Sequence, residues 1–422
     1  MRRSIDKAAI ILSAAFVVLS FARESMAEVP LVTDAKGWSL TLDGRLNTFF
    51  SFAAGQALPS GIPNYEGVYD YGDANGNITK TRIRSGFIEN VLGFTLKKQL
   101  TPDTLVTARF GTWVGVAVSQ SKADIPPLDA RELYVKIDAP WGGVLAGRNL
   151  SLFGRGAILL DYDVVHAYGL GSPCAIQVAQ GGACGFAGYG ILFPAYNAGV
   201  VYNTPDAGGF QLSVGAFDPS AVSTASYQRT PYPRLEGEAV FEVPRYFKAT
   251  ASGQWQKIGQ NAAPFLNVDA AGGSFSAEVT LGPVQLGGAG FVGQGLGIYQ
   301  AMEDSPIFSD NTGIIRHQQG FLGVAALNFG GTKIAGGVGE TQLKKTASEG
   351  TGPLTSATTE FPAKQLGISV GVYQHVADTF VLALEYFRSN ITWQEELSPA
   401  TMEAITPSQH VDFVNAGITT LF

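Results

Sequence analysis

The segment WSLTLDGRLNTFFSF, residues 38–52, decides the fold class of this chain. Its even positions carry mainly apolar side chains and its odd positions mainly polar ones, so the pattern repeats every two residues. Such alternation indicates a β-strand with one face in an apolar environment. The segment is longer than most strands of soluble proteins, and a tilted strand needs about 9–11 residues to cross a bilayer. It therefore predicts a membrane-spanning strand.

The same alternation recurs along the chain and predicts sixteen strands. After the first, they lie near residues 82–98, 103–118, 129–138, 142–149, 196–204, 209–217, 233–243, 246–257, 271–281, 283–294, 319–329, 332–342, 365–376, 379–389 and 409–422. An even number of antiparallel strands places both termini on the same side of the membrane.

The connections between these strands alternate strictly in length. Seven are tight and contain Pro, Gly or Asp, near residues 100–103, 139–142, 205–208, 243–245, 282–283, 330–331 and 375–378. Eight are long and polar, near residues 53–81, 119–128, 150–195, 218–232, 258–270, 295–318, 343–364 and 390–408. Outer-membrane barrels alternate in this way, with short periplasmic turns and longer outer loops. A soluble two-sheet sandwich would also have alternating strands, but it does not predict this alternation of loop length.

The composition agrees with a barrel in lipid. Only 15% of the residues are charged, whereas a soluble globular chain has about 25%. Beyond the N-terminus no apolar run approaches the length of a membrane helix. Only helices and closed barrels pair every backbone group in lipid, so the sequence predicts an all-β, antiparallel transmembrane barrel. The chain has no basic stripe, which argues against a nucleic-acid partner.

The N-terminus has the pattern of a secretory signal peptide. Three basic residues precede an apolar run over residues 8–22, which is short for a membrane span. Small residues at Ser25 and Ala27 predict cleavage after Ala27. Residues 1–27 would then be removed and residues 28–422 would form a single barrel domain. An uncleaved anchor helix is the alternative.

Three motifs resemble the Gram-negative outer-membrane porin family, whose members are trimeric sixteen-stranded channels. The opening strand LTLDGRLNTFF has a mid-strand glycine, VLAGRN (residues 144–149) matches the end of the fifth strand, and NAGITTLF closes the chain on Phe422. The resemblance implies a homotrimer in outer-membrane lipid and lipopolysaccharide, with small hydrophilic solutes passing through. It also implies that the barrel-assembly machinery reads Phe422 as an insertion signal. The third loop is longer than usual and the chain lies near the upper end of the length for sixteen strands, so an eighteen-stranded substrate-selective channel is an alternative.

The resemblance also implies a pore constriction. In the family the third loop, here residues 150–195, folds inward, and its acids face arginines on the opposing wall. The arginine of the GRN motif carries over to Arg148, and the loop acids carry over to Asp161 and Asp163. Rings and walls of charge set the ion selectivity of such pores.

Three further arginines are candidates for the same wall. Arg45, Arg84 and Arg109 lie on polar faces of the first predicted strands. A basic side chain that faces lipid at the bilayer midplane costs about 2–4 kcal/mol, so arginines within strands are expected to point inward. Structural ion pairs or positions near the rim are the alternative.

The two cysteines predict a disulfide. Cys174 and Cys184 lie ten residues apart in a Gly-rich part of the third loop, and a cysteine pair in an exported chain is typically bonded. A metal site is less favoured because only His166 lies nearby. The sequence predicts neither a metal nor a cofactor.

The predicted function is passive diffusion of small hydrophilic solutes and ions across the outer membrane. A substrate-selective channel with a binding site at the constriction is the alternative. An enzymatic barrel is a third class, but the sequence has no nucleophile elbow and no zinc motif. The chain is therefore expected not to be an enzyme.

Overall fold

The structure is a computed structural model that describes residues 28–34, 36–59, 62, 72–116, 128–172, 183–220, 227–260, 267–299, 308–310, 313–354, 361–397 and 403–422. The predicted signal peptide lies outside the described residues, and its cleavage stays a prediction.

Sixteen antiparallel wall strands form one closed barrel. They are β2 (Trp38–Gln56), β3 (Asn77–Arg84) continued by β4 (Asn90–Thr101), β5 (Thr104–Val114), β6 (Asp129–Ala139), β7 (Gly142–Leu150), β8 (Tyr196–Asn203), β9 (Phe210–Phe217), β11 (Arg234–Val243), β12 (Phe247–Gln260), β13 (Asn267–Leu281), β14 (Val284–Gln294), β15 (His317–Phe329), β16 (Thr332–Leu343), β17 (Pro362–Ala377), β18 (Phe380–Trp393) and β21 (Ser408–Leu421). Short connections follow every second strand, as the sequence predicts. The prediction of sixteen strands is confirmed.

Short elements lie outside this count. Strand β1 (Val29–Thr33) extends the sheet beside the start of β2, and β10 (Tyr227–Arg229) pairs with the end of β12. A ribbon of β19 (Glu396–Leu397) and β20 (Ala404–Ile405) stands apart. The helices within the described ranges are α1 (Arg155–Asp161), a π-helix (Tyr162–His166) and a 3₁₀ turn (Ala347–Glu349). Among the described residues, no helix has the length and apolar character needed to cross a membrane.

The barrel closes where β2 pairs with β21. The Gly44 N–H donates to the Phe422 carbonyl at 2.7 Å, and the Phe422 N–H donates to the Gly44 carbonyl at 3.0 Å. A side chain at position 44 would overlap the Phe422 ring. The mid-strand glycine of the opening motif therefore makes room for the last residue of the chain, and no strand edge is left at the seam.

Each wall strand has an apolar outer face and a polar inner face. On β2, Leu46 and Phe50 are about half exposed, whereas Arg45, Asn47 and Ser51 are buried on the inner side. A strand presents alternate side chains to opposite faces, so apolar residues meet lipid without forming a long apolar run.

Candidate functional site

The third loop folds into the barrel, and its described residues 150–172 and 183–195 are called the constriction segment below. It begins against the wall at β11 and β12. The N–H groups of Leu152 and Phe153 donate to the Glu236 carboxylate at 2.7 and 2.9 Å. The Gly154 N–H donates to the Ser252 hydroxyl at 3.0 Å. Helix α1 then lies along β12, β13 and β14.

The segment crosses the lumen within a few residues. Leu160 packs at Gly287 of β14, and the Tyr162 hydroxyl accepts a 2.9 Å hydrogen bond from Arg45 of β2. Five wall strands, β15 to β18 and β21, separate β14 from β2. Residues so close in the chain can contact such distant strands only by bridging the interior. The predicted inward fold of the third loop is therefore observed in its described residues.

The returning part of the segment, residues 183–195, packs against three glycines on the inner face of the wall. These glycines are Gly337, Gly339 and Gly367. A Cβ at Gly339 would overlap the Tyr189 carbonyl oxygen, one at Gly367 would lie 2.9 Å from Tyr189 Cβ, and one at Gly337 would lie 3.0 Å from the Phe186 ring. The absence of side chains lets the segment reach the depth of the wall backbone.

A buried polar cluster joins the segment to β17 and β18. His166 Nδ1 lies 2.6 Å from Asp161 Oδ1, and His166 Nε2 lies 3.0 Å from Ser369 Oγ. The second Asp161 oxygen accepts from the Phe186 N–H at 2.7 Å. The Glu385 carboxylate lies 3.9 Å from Nε2.

The Asp161, His166 and Ser369 side chains are hydrogen-bonded in the order found in the Asp–His–Ser catalytic triad of hydrolases. Neither Asp161 nor His166 has an exposed side-chain surface, and Ser369 is buried. A substrate therefore has no access to the Ser369 hydroxyl in this structure. The arrangement instead connects the segment to the wall.

The charge environment of His166 favours the imidazolium. Burial lowers the pKa of this histidine, but the Asp161 and Glu385 carboxylates raise it, and the net pKa lies above the usual value of 6.5. An opposite charge within hydrogen-bond distance favours the charged form of a titratable group.

Two predicted arginines, Arg45 and Arg84, face inward and are buried. Arg45 donates to the Ala167 carbonyl at 2.6 Å, and its guanidinium also lies near the Tyr168 ring. Arg84 is the cross-strand partner of the inward Phe49 and is likewise buried. Arg45 therefore belongs to the packed contact between the wall and the segment.

Arg109 faces inward within a network of acids. Its guanidinium pairs with the Asp43 carboxylate and lies 2.9 Å from a Glu132 oxygen. It also donates to the Thr95 hydroxyl at 2.8 Å. The Arg109 side chain keeps 12% of its surface exposed, so a paired cation still borders free space.

Arg148 lies elsewhere than predicted. Its cross-strand neighbours are Leu133 and Ala198, and Leu133 is 54% exposed on the outer apolar face. The inward side of β7 is marked instead by the buried Leu145. Strand parity therefore places Arg148 on the outer face, where it lies 3.5 Å from Asp129 near the end of the strand. The expectation of an inward Arg148 at the constriction is corrected.

The Asp161 side chain does not face an arginine wall as predicted. Asp161 bonds to His166 and to the Phe186 backbone. Asp163 is partly buried in the π-helix, and its carbonyl accepts from the Lys333 ammonium at 2.7 Å. The structure does not bring these acids together with Arg148.

Sequence reasoning missed the ion pair between Arg155 and Glu238. Arg155 begins α1, and its Nε lies 3.2 Å from a Glu238 oxygen on β11. A quarter of the Arg155 side chain is exposed, whereas Glu238 is buried. The available signal was its position in the third loop, two residues after Phe153, among otherwise apolar residues.

The predicted disulfide remains a prediction. Cys184 is buried in the returning part of the segment, whereas Cys174 lies outside the described residues. Within the part of the chain that the structure describes, no group of three or more His, Cys, Asp or Glu side chains is arranged to hold a metal ion.

Comparison with known proteins identifies the family. A sequence profile for Gram-negative porins matches residues 12–388. The chain belongs to the Gram-negative porin family. This porin is an outer-membrane channel, and its family and fold point to a channel rather than an enzyme. No curated protein matches the sequence.

Solved structures show the same fold at low sequence identity. The outer-membrane channel DcaP of Acinetobacter baumannii is 12% identical, with a TM-score of 0.66 over 93% of this porin and 99% of that chain. The anion-selective porin of Comamonas acidovorans is 15% identical, with a TM-score of 0.60 over 91% and 100%. The trimer form of OmpT from Vibrio cholerae is 10% identical, with a TM-score of 0.53 over 92% and 100%.

Proposed function

We propose that this porin is a passive diffusion channel for small hydrophilic solutes and ions. The observation that carries the proposal is the constriction segment, which crosses a closed barrel with a polar inner face. A segment at mid-lumen narrows the path without closing the barrel ends. Solutes then pass by size and charge, and no chemical step is required.

The proposed constriction is lined by paired charges. We infer that the network of Arg109, Asp43 and Glu132 borders it from the wall and the Arg155–Glu238 pair borders it at the start of the segment, because both arginines face inward and keep exposed surface. Two guanidiniums meet three carboxylates in this lining, so the excess of negative charge is small. We therefore expect weak ion selectivity.

A substrate-selective channel is the second candidate. It requires a constriction of fixed shape, and the start of the segment is fixed by buried apolar packing of Leu152 on Leu145, Val201 and Phe217. A narrow path with fixed contacts would hold each solute long enough that the current saturates with solute concentration. Small-molecule sites in proteins are concave and largely apolar, with a few polar groups.

We further propose a homotrimer, because the OmpT neighbour is described in a trimer form. The protomers would lie in outer-membrane lipid and lipopolysaccharide after insertion by the barrel-assembly machinery. A mature domain of residues 28–422 and a disulfide between Cys174 and Cys184 are part of the same proposal.

Planar-bilayer recording tests the channel function and separates the two candidates. Purified mature protein should give stepwise, ohmic currents that rise linearly with salt or solute concentration. Saturation at low solute concentration would favour the substrate-selective channel. Failure to produce conductance steps from correctly folded protein would exclude both.

A further inference from the structure

We propose that His166 is the positioning residue that anchors the constriction segment to the barrel wall, and that it makes the pore current sensitive to pH. The inference rests on the proposed channel function and goes beyond it. The imidazole lies at the joint between the segment and two wall strands, with its Asp161 partner on the segment and its Ser369 and Glu385 neighbours on the wall.

The same joint holds the backbone of the segment. The N–H groups of Leu170 and Gly171 donate to the two Glu385 oxygens at 3.0 and 2.7 Å. Gly169 leaves room for that carboxylate, because a Cβ there would overlap it. His166 therefore connects the segment to Ser369 of the wall, while Glu385 binds the residues that follow, Leu170 and Gly171.

The charges around the imidazole balance only when it is protonated. Asp161 and Glu385 supply two carboxylates, and Lys333 of β16 is the other cation that acts on His166. Tyr373 of β17 donates to Glu385 at 3.1 Å, and Ser369 is neutral. Loss of the proton would leave a buried excess of negative charge, which costs free energy.

The direction of the pH effect follows from these groups. The acids raise the pKa of His166 above 6.5 despite its burial. Its stabilisation is therefore fully present below the ordinary histidine pKa and is lost as pH rises through the raised value. Above that pH, residues near His166 are released, while the contacts at Glu236 still hold the start of the segment.

The released segment no longer keeps a fixed position across the lumen. We expect the open-state current to become larger and noisier on the alkaline side of the transition. The barrel itself persists, because its wall hydrogen bonds do not depend on this histidine.

Single-channel recording from about pH 6 to about pH 10 tests this inference, since the range extends upward from the ordinary histidine pKa of about 6.5. The wild type should show one transition in mean current and noise. His166→Gln should lose the transition. Asp161→Asn should lower its midpoint by about one unit or more, because an adjacent opposite charge shifts a pKa by about that amount. His317→Gln is the matched control at an exposed histidine and should keep the wild-type profile.

Heat-modifiable gel mobility first establishes that each variant forms a barrel. A flat wild-type profile, or a transition that persists in His166→Gln, overturns the inference while leaving the channel function intact. If His166→Gln fails to fold, Asp161→Asn decides: a lowered midpoint supports the anchor, and an unchanged midpoint overturns it. Absence of conductance steps in the wild type overturns the channel function and this inference together.

Discussion

At the scale of single residues, charged side chains of the inner wall are buried in ion pairs. Arg155 meets Glu238, and Arg109 meets Asp43 and Glu132. Burying an isolated charge costs free energy that an ion pair offsets in part. Removal of one partner therefore leaves the other charge buried and uncompensated. These two networks together hold two cations and three carboxylates, so their net charge is small.

Arg155→Ala should shift the pore toward cations, because Glu238 then remains without its principal cation. A local energy change of about 1.4 kcal/mol alters relative ion occupancy about tenfold, so we expect a change of about two- to tenfold in the permeability ratio. The reversal potential in a salt gradient measures it. Arg148→Ala is the matched control: it removes the same charge from the outer face and should leave the reversal potential unchanged. A larger shift of the reversal potential in Arg148→Ala than in Arg155→Ala would show that the assignment of inner and outer faces is wrong.

The faces of individual residues were largely predictable from strand parity. Parity placed Arg45 and Arg109 inward, as the structure does. Arg148 was assigned by a motif instead, although Val144 and Ala146 share its parity and indicate the outer face. The partners of each arginine could not be predicted, because they depend on which strands and loop residues meet across the lumen.

At the scale of elements, the constriction segment is held by shape as much as by charge. The glycines of β16 and β17 let the backbone at Tyr189 approach the wall directly. The strands were predictable because their alternation is local in the sequence. The docking site of the segment was not, because it joins residues more than a hundred positions apart. The signal was the repeated glycine in AGGVG, residues 335–339.

Gly339→Ala should displace the returning part of the segment. The added methyl group overlaps the Tyr189 carbonyl, which is backbone and cannot rotate away. Overpacking of this kind costs about 1–3 kcal/mol, and the open-channel noise should rise with it. Gly323→Ala on the neighbouring strand is the control, since its Cβ would meet open space. Thermal unfolding in detergent and single-channel recording measure the two effects. Equal unfolding temperatures and equal open-channel noise in the two variants would contradict the proposed docking of the segment.

At the scale of the whole molecule, closure joins the first and last wall strands. Strand number and loop alternation followed from the sequence, because turn residues and strand period are local features. Closure is a property of the complete ring, and it brings Gly44 and Phe422 together although they lie on the first and last wall strands. The seam therefore depends on a contact that forms only when all sixteen strands are in place.

A double-mutant cycle at the seam tests this dependence. Gly44→Ala should destabilise the barrel by about 1–3 kcal/mol, because its methyl group overlaps the Phe422 ring and approaches the Val91 carbonyl to 2.8 Å. Phe422→Ala removes the ring, so Gly44→Ala should cost less in that background, with a coupling of about 0.5–3 kcal/mol. The contact with the Val91 carbonyl remains in that background, so Gly44→Ala still destabilises the barrel in part. Gly237→Ala, whose Cβ would lie 3.8 Å from its nearest neighbour, is the control and should be nearly neutral. Urea unfolding of the refolded barrel gives the free energies. Strictly additive effects of the two seam substitutions would mean that the glycine is required for another reason than the terminal ring.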